Sequence, residues 1–108
     1  MKKALVPHSL VNRSTNAAIV LIECELERLL DTAPDAPRWQ RNRDRALPYD
    51  CNRENLHPGF VQIRVGSDEF RMPYYETLEV LKGLRFSQDM PFSDRLEVLQ
   101  KRLSEASR

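Results

Sequence analysis

FVQIRV, residues 60–65, is the clearest strand pattern in this 108-residue chain and the starting point for its fold. Its valines and isoleucine alternate with polar residues, and a period of two predicts a β-strand with one buried face. GSD at 66–68 supplies turn residues, and the alternation resumes in EFRM at 69–72. We therefore predict a β-hairpin of the longer-loop kind over residues 60–72.

Two strands alone are marginally stable in water, so the hairpin must pack on helices or pair with a third strand. Residues 3–11 or a second copy of the chain could supply that strand. Helical periodicity is found on both sides of the hairpin, over residues 16–31, 73–84 and 93–106. The pattern predicts a small single α+β domain, with about three helices on a two- or three-stranded antiparallel sheet.

The first helix, residues 16–31, follows a Ser-Thr-Asn run at 14–16 that could cap it. Val20 and Leu21 are predicted to widen its apolar face, and Cys24 is predicted to be a buried thiol at the edge of that face. Apolar residues recur along it at steps of three and four, namely Ile19, Ile22, Leu26, Leu29 and Leu30.

The remaining segments are predicted to be irregular. Residues 1–13 carry three positive charges and no negative charge, and we expect an extended arm ahead of the globular domain of residues 14–108. Residues 32–59 contain four prolines and predict a long loop. Large side chains could anchor this loop to the domain, namely Trp39, Leu47, Tyr49 and Leu56.

Composition excludes several classes of protein. The 17 Lys and Arg nearly balance the 16 Asp and Glu, and 41% of residues are hydrophobic, which argues against intrinsic disorder. A near-neutral chain has little long-range field to attract nucleic acid or an anionic membrane. Charges nevertheless alternate in blocks of +3, −4, +3, −3 and +2 over residues 1–15, 16–37, 38–53, 54–81 and 82–108.

The chain carries no sign of a membrane segment, a metal site or a cofactor site. Its longest apolar run, residues 17–22, is far shorter than the roughly 20 residues needed to span a bilayer. The two cysteines form no CxxC pair, and they show no zinc-ligand spacing with the two histidines. We expect a cytoplasmic protein without cofactor or metal and without a membrane partner.

An enzymatic alternative rests on Asp50, Cys51 and His57. An acid, a thiol and an imidazole lie within eight residues, and these are the groups of an activated cysteine. The structural alternative is that Asp50 caps a short turn and that residues 57–59 form a loop before the strand. The second interpretation is the preferred one, because nucleophile and base more often meet through the fold than along a loop.

Residues 38–45 are the densest basic feature of the chain. Four guanidinium groups and one indole in eight residues could hold phosphates and stack on an unpaired base. The preferred alternative is a solvated loop in which they pair with the acidic residues of the preceding helix. The residues of this nucleic-acid hypothesis are Arg38, Trp39, Arg41, Arg43 and Arg45.

One short segment resembles a known family. Asn42-Arg43, Leu47-Pro48-Tyr49-Asp50, Arg53 and Leu56 carry the resemblance, which covers about fifteen of the 108 residues. The segment resembles one that lies early in the catalytic domain of protein tyrosine phosphatases and helps to form the phosphotyrosine pocket. In that family an arginine follows the nucleophilic cysteine by six positions. Leu30 and His57 stand at that distance here, so no catalytic residue carries over.

Aromatic residues around the last two helices suggest an interaction surface. Tyr75, Phe86 and Phe92 are its candidate contacts, although most aromatics of so small a domain are expected in the core. Without a nucleotide loop or metal cluster, we expect a non-enzymatic protein-interaction domain. It would act as a regulator, adaptor or assembly factor through a protein partner or as a homodimer.

Overall fold

The computed structural model describes residues 8–37 and 47–107. Three helices pack on one antiparallel sheet of three strands, which confirms the α+β prediction. The elements in chain order are α1 (His8–Leu30), β1 (Tyr49–Arg53), β2 (Phe60–Val65), β3 (Asp68–Pro73), α2 (Tyr74–Gly83) and α3 (Phe92–Ala106).

The third strand comes from the segment predicted to be a loop. β1 pairs with β2, Tyr49 facing Val65 and Cys51 facing Ile63, so β2 is central. The third strand therefore comes neither from a second copy of the chain nor from residues 8–11, which are helical. Residues 3–7, the rest of the predicted source, lie outside the described residues. The prediction failed because the alternation at 49–51 is too short to stand out among the prolines, although tertiary packing buries Tyr49 and Cys51.

The β2–β3 hairpin is tighter than predicted. Val65 pairs directly with Asp68, which leaves a two-residue loop of Gly66 and Ser67. Gly66 has a φ of +61°, and no residue other than glycine has a positive φ in the described chain. A positive φ at the first loop position alone is the requirement of a type II′ turn, the kind that matches the twist of a hairpin.

α1 begins eight residues earlier than predicted, at His8, so residues 8–13 belong to a helix and do not form an extended arm. The Ser-Thr-Asn run at 14–16 lies inside the helix. No proline or glycine interrupts the chain between Pro7 and Pro34, and helix can therefore extend through these polar residues. By contrast, α2 and α3 lie within one residue of their predicted bounds.

The core lies between the three helices and one face of the sheet. On the sheet it contains Val61, Ile63 and Val65 of β2, all fully buried. The opposite face of the sheet is polar, with Asp50, Asn52, Arg64, Glu69 and Arg71 upon it. The largest fully buried helical side chains are Ile22, Leu26, Leu29, Leu30, Leu81, Leu99 and Leu103.

Two arginines join the helices to one another. Arg95 of α3 is only 3% exposed, and its guanidinium donates to the main-chain oxygens of Leu29 (3.1 Å), Ser87 (2.9 Å) and Met90 (2.9 Å). Arg28 of α1 donates to two oxygens at the end of α2. Each cation thus lies at the C-terminus of a neighbouring helix, where the backbone oxygens and the helix dipole favour positive charge.

Candidate functional site

The three aromatic residues predicted as contacts occupy different environments. Tyr75 is 68% exposed and stacks on Tyr74, with 4.1 Å between ring centroids. Phe86 is half-buried, and the Arg95 guanidinium lies 5.6 Å from its ring centroid. Phe92 is half-buried against the core. Phe86 and Phe92 therefore belong to the packing of the domain, and of the three Tyr75 alone is mostly exposed.

The basic candidates cannot be placed. Arg38, Trp39, Arg41, Arg43 and Arg45 all lie outside the described residues. Nucleic-acid binding through them stays a prediction from the sequence.

Cys51 and His57 lie in different environments. Cys51 is buried in the core, and this burial, with Glu23 and Asp50 nearby, raises the pKa of its thiol to about 12. His57 is exposed and packs on Phe60, 5.6 Å between ring centroids. A reactive cysteine needs a lowered pKa and a partner that holds the thiolate, and the environment of Cys51 has the opposite effect.

Among the described side chains, those of residues 16–37 and 47–107, no group of three His, Cys, Asp or Glu is placed to hold a metal ion. None of the helices in this part of the chain is long and apolar enough to cross a membrane.

The feature that does stand out is an exposed apolar stripe on α1. It consists of Ala17, Val20, Leu21 and Cys24, hereafter the outer stripe. These positions follow the spacing i, i+3, i+4 and i+7, so they share one face of the helix over two turns. Val20 is 58% and Leu21 50% exposed, and both are among the most exposed large apolar side chains described.

The outer stripe corrects three predictions. Val20 and Leu21 do not widen the buried face of α1, and Cys24 is exposed. The buried stripe is separate and includes Ala18, Ile22 and Leu29, which fill the contact with the sheet and the other helices. α1 therefore carries two apolar stripes, one covered by the domain and one not covered by any described residue.

An acidic cluster follows the outer stripe toward the C-terminus of α1. Glu23 and Glu27 of α1 and Asp31, the first residue after the helix, follow one another at steps of four, and Asp50 of β1 lies close to Glu23. We call these four residues the acidic cluster. Like charges four apart on a helix repel one another, so the cluster has a cost in the isolated domain.

The titration behaviour of the cluster reflects this crowding. Partial burial raises the pKa of Glu23, and the charges of Asp50 and Glu27 raise it further. The pKa of Asp31 is raised as well, chiefly by burial, although the Tyr49 hydroxyl donates to its carboxylate at 3.0 Å and opposes the shift. Both carboxyl groups are thus harder to ionise than in water.

No described Lys or Arg forms an ion pair with the acidic cluster. The ion pairs among the described side chains, those of residues 16–37 and 47–107, are Arg28 with Glu25 and Arg71 with Glu54. Arg64 faces Asp50 across the strands but donates to the main-chain oxygens of Leu47 and Gly66. The cluster is therefore a negative patch without a described counter-charge.

The arginine one turn beyond the outer stripe is already neutralised. Arg28, four residues after Cys24, is paired with Glu25 at 2.6 Å and also binds the end of α2. Beyond the outer stripe, α1 thus carries the acidic cluster and one arginine that is already paired.

Comparison with family models, curated proteins and solved structures finds no match to this chain.

The sequence reasoning missed the outer stripe because a broad apolar set on one helix predicts a broad buried face. The available signal was its regular spacing beside a second, complete apolar stripe.

Proposed function

We propose that this chain is a protein-interaction domain and that a protein partner docks on the outer stripe of α1. It would act as a cytoplasmic regulator, adaptor or assembly factor. The observation that supports the proposal is the exposure of Val20 and Leu21 within an ordered apolar stripe on a helix whose opposite face is fully packed.

The spacing of the outer stripe suits helix recognition. Helical interfaces commonly use anchors at i, i+3, i+4 and i+7, the positions of Ala17, Val20, Leu21 and Cys24. Covering the exposed halves of Val20 and Leu21 would contribute about 1 kcal/mol each to binding. Scattered apolar side chains are normal on a surface, whereas a contiguous stripe indicates an interface.

The proposal is tested by binding measurements on matched variants. Proteins retained by the immobilised wild-type chain from its host are identified by mass spectrometry, and the partner is then purified. Its affinity is measured for the wild type, for Val20→Ser/Leu21→Ser and for Leu56→Ser. Leu56 is 77% exposed in the loop between β1 and β2, and it therefore controls for the general loss of an exposed apolar side chain.

We expect the double variant to bind the purified partner about tenfold more weakly or worse, and Leu56→Ser to bind like the wild type. Equal affinity of all three proteins would overturn the proposal. If the retained protein is the chain itself, sedimentation equilibrium of the same three proteins replaces the affinity measurement. A wild-type chain that retains no protein and stays monomeric at all concentrations would also contradict the proposal.

A further inference from the structure

We propose that β3, an edge strand of the sheet, pairs antiparallel with β3 of a second copy of the chain about Phe70, which continues the sheet across both copies. This inference goes beyond the proposed function, because it concerns the edge of the sheet and not the outer stripe of α1. Three features of β3 support it: the direction of its backbone groups, the order of its charges and the partial exposure of Phe70.

The direction of the backbone groups follows from the register of the sheet. The N–H of Glu54 donates to the carbonyl oxygen of Phe60 at 3.0 Å, so the even-numbered residues of β2 bond to β1. The odd-numbered residues of β2 therefore bond to β3, and their partners there are its even-numbered residues. The N–H and C=O groups of Glu69 and Arg71 thus point to the free edge.

These outward groups limit the ways in which two copies of β3 can pair. Residues that exchange hydrogen bonds must both point outward, so Glu69 can face Glu69, Arg71 or Pro73 of the second strand. Glu69 opposite Glu69 brings like charges together. Glu69 opposite Pro73 sets Arg71 against Arg71, and proline has no N–H to donate. The register centred on Phe70 sets Glu69 opposite Arg71 on both sides of the axis.

The charges in this register are complementary and accessible. Glu69 and Arg71 lie on the polar face of the sheet, and 65% of the Arg71 side chain is exposed. In the described part of the chain, Arg71 contacts Glu54 through Nε at 3.1 Å, and Glu69 accepts from Gln62 at one oxygen. Each side chain therefore keeps atoms for the second copy. Opposite charges that face each other across antiparallel strands stabilise the pair, and like charges destabilise it.

Phe70 lies on the axis of the proposed pairing. Its side chain packs at the margin of the core and is half-buried. In this register the two Phe70 residues face each other without exchanging hydrogen bonds, which is where side chains of antiparallel strands come closest. Each ring would cover the exposed part of the other, and aromatic cross-strand pairs are stabilising. The same patch thus complements itself, as a symmetric dimer requires.

β1, the other edge of the sheet, suits a second copy less well. α1 packs against it, and Asp50 of β1 lies close to Glu23. Two β1 edges brought together would therefore place four carboxylates near one another. Charge favours β3 as the edge that pairs.

Sedimentation equilibrium of the full chain tests this pairing. The edges of two short strands bury little area, so we expect a reversible dimer between about 10 μM and about 1 mM. Glu69→Arg and Arg71→Glu each set like charges opposite one another, and each should weaken the dimer about tenfold or more. Glu69→Arg/Arg71→Glu restores opposite charges on both sides of the axis and should dimerise like the wild type.

Control variants separate the edge from the rest of the surface. Glu97→Arg and Arg102→Glu make the same charge changes at exposed positions of α3 and should leave the dimer unchanged. Val20→Ser/Leu21→Ser should also dimerise like the wild type, because the outer stripe takes no part in the pairing.

Amide hydrogen exchange, followed by NMR, tests the same pairing without a substitution. The N–H groups of Glu69 and Arg71 should become protected as the concentration of the chain rises. Those of Phe70 and Met72 bond to β2 and should be protected at every concentration. This measurement decides the question where a charge variant does not fold.

Three results would overturn the inference: a wild-type chain that stays monomeric up to about 1 mM, a dimer that both single charge variants leave intact, or a dimer in which the amides of Glu69 and Arg71 gain no protection. A dimer that Val20→Ser/Leu21→Ser abolishes would place self-association on the outer stripe and also overturn it. The proposed function is judged separately, by the affinity of a purified host partner for that stripe variant.

Discussion

The guanidinium of Arg95 donates to the main-chain oxygen of Leu29 at 3.1 Å, across 66 residues of sequence. This bond joins the first turns of α3 to the end of α1, the helix that carries the outer stripe. The same guanidinium also donates to the hydroxyl of Thr32 at 2.9 Å. One buried arginine thus ties the end of α1 to α3, in addition to the apolar packing between them.

Arg95→Met should destabilise the fold by roughly 3 kcal/mol, because several buried carbonyl oxygens lose a charged donor. Urea denaturation measures the free energy of unfolding. Arg102→Met removes an exposed arginine from the same helix and should change that energy by no more than about 0.5 kcal/mol. Similar losses in the two variants would contradict the structural role of Arg95.

Gly66→Ala should destabilise the protein by about 1–2 kcal/mol, since a side chain at positive φ is strained. A Cβ there would also lie 2.7 Å from Nε2 of Gln100, which donates to the main-chain oxygen of Val65. Gly83→Ala is the control, because its Cβ meets no atom within 4 Å. Thermal unfolding should show a lower Tm for the first variant alone.

Much of the fold follows from local patterns. The alternation in residues 60–65 predicts β2, and the helical spacing after Pro73 and in residues 93–106 predicts α2 and α3. β1 could not be predicted in this way, because a strand of five residues gains its order from pairing with β2 and from α1 packed against it.

The candidate site was harder to predict. Val20 and Leu21 are apolar, and only the packing of α1 decides that Ile22 is buried while its two predecessors are exposed. Arg95 was not singled out either, since its burial depends on carbonyl groups from α1 and from the loop before α3. Tertiary contacts, which no local pattern contains, determine both features.

Cys24 and Cys51 should differ sharply in reactivity. Cys24 is exposed, whereas burial raises the pKa of the Cys51 thiol to about 12. A thiol reagent at neutral to mildly alkaline pH should modify one thiol per native chain and a second one after unfolding in urea. Cys24→Ser should remove the fast reaction. Rapid modification of the native Cys24→Ser protein would contradict the burial of Cys51.

Glu23→Gln should stabilise the protein at pH 7 by about 0.2–0.5 kcal/mol, because it removes a partly buried charge that Asp50 and Glu27 repel. The folded-state pKa of Glu23 is raised, so its ionisation opposes folding as the pH rises through that pKa. Below the ordinary pKa of 4.5 the carboxyl group is protonated in both states, and the gain from this substitution should vanish. Urea denaturation measures the free energies of unfolding of the wild type and of Glu23→Gln at pH 7 and near pH 4. A gain in stability that persists in acid would contradict the electrostatic cause.

The most direct test of docking on α1 uses Cys24 as a reporter, because it lies within the outer stripe and is exposed. The rate of its alkylation is measured by mass spectrometry with and without the purified host partner, while buried Cys51 stays silent. A partner seated on the outer stripe should slow the alkylation of Cys24 in proportion to the fraction of chain bound. An unchanged rate in chain saturated with partner would contradict docking on this stripe.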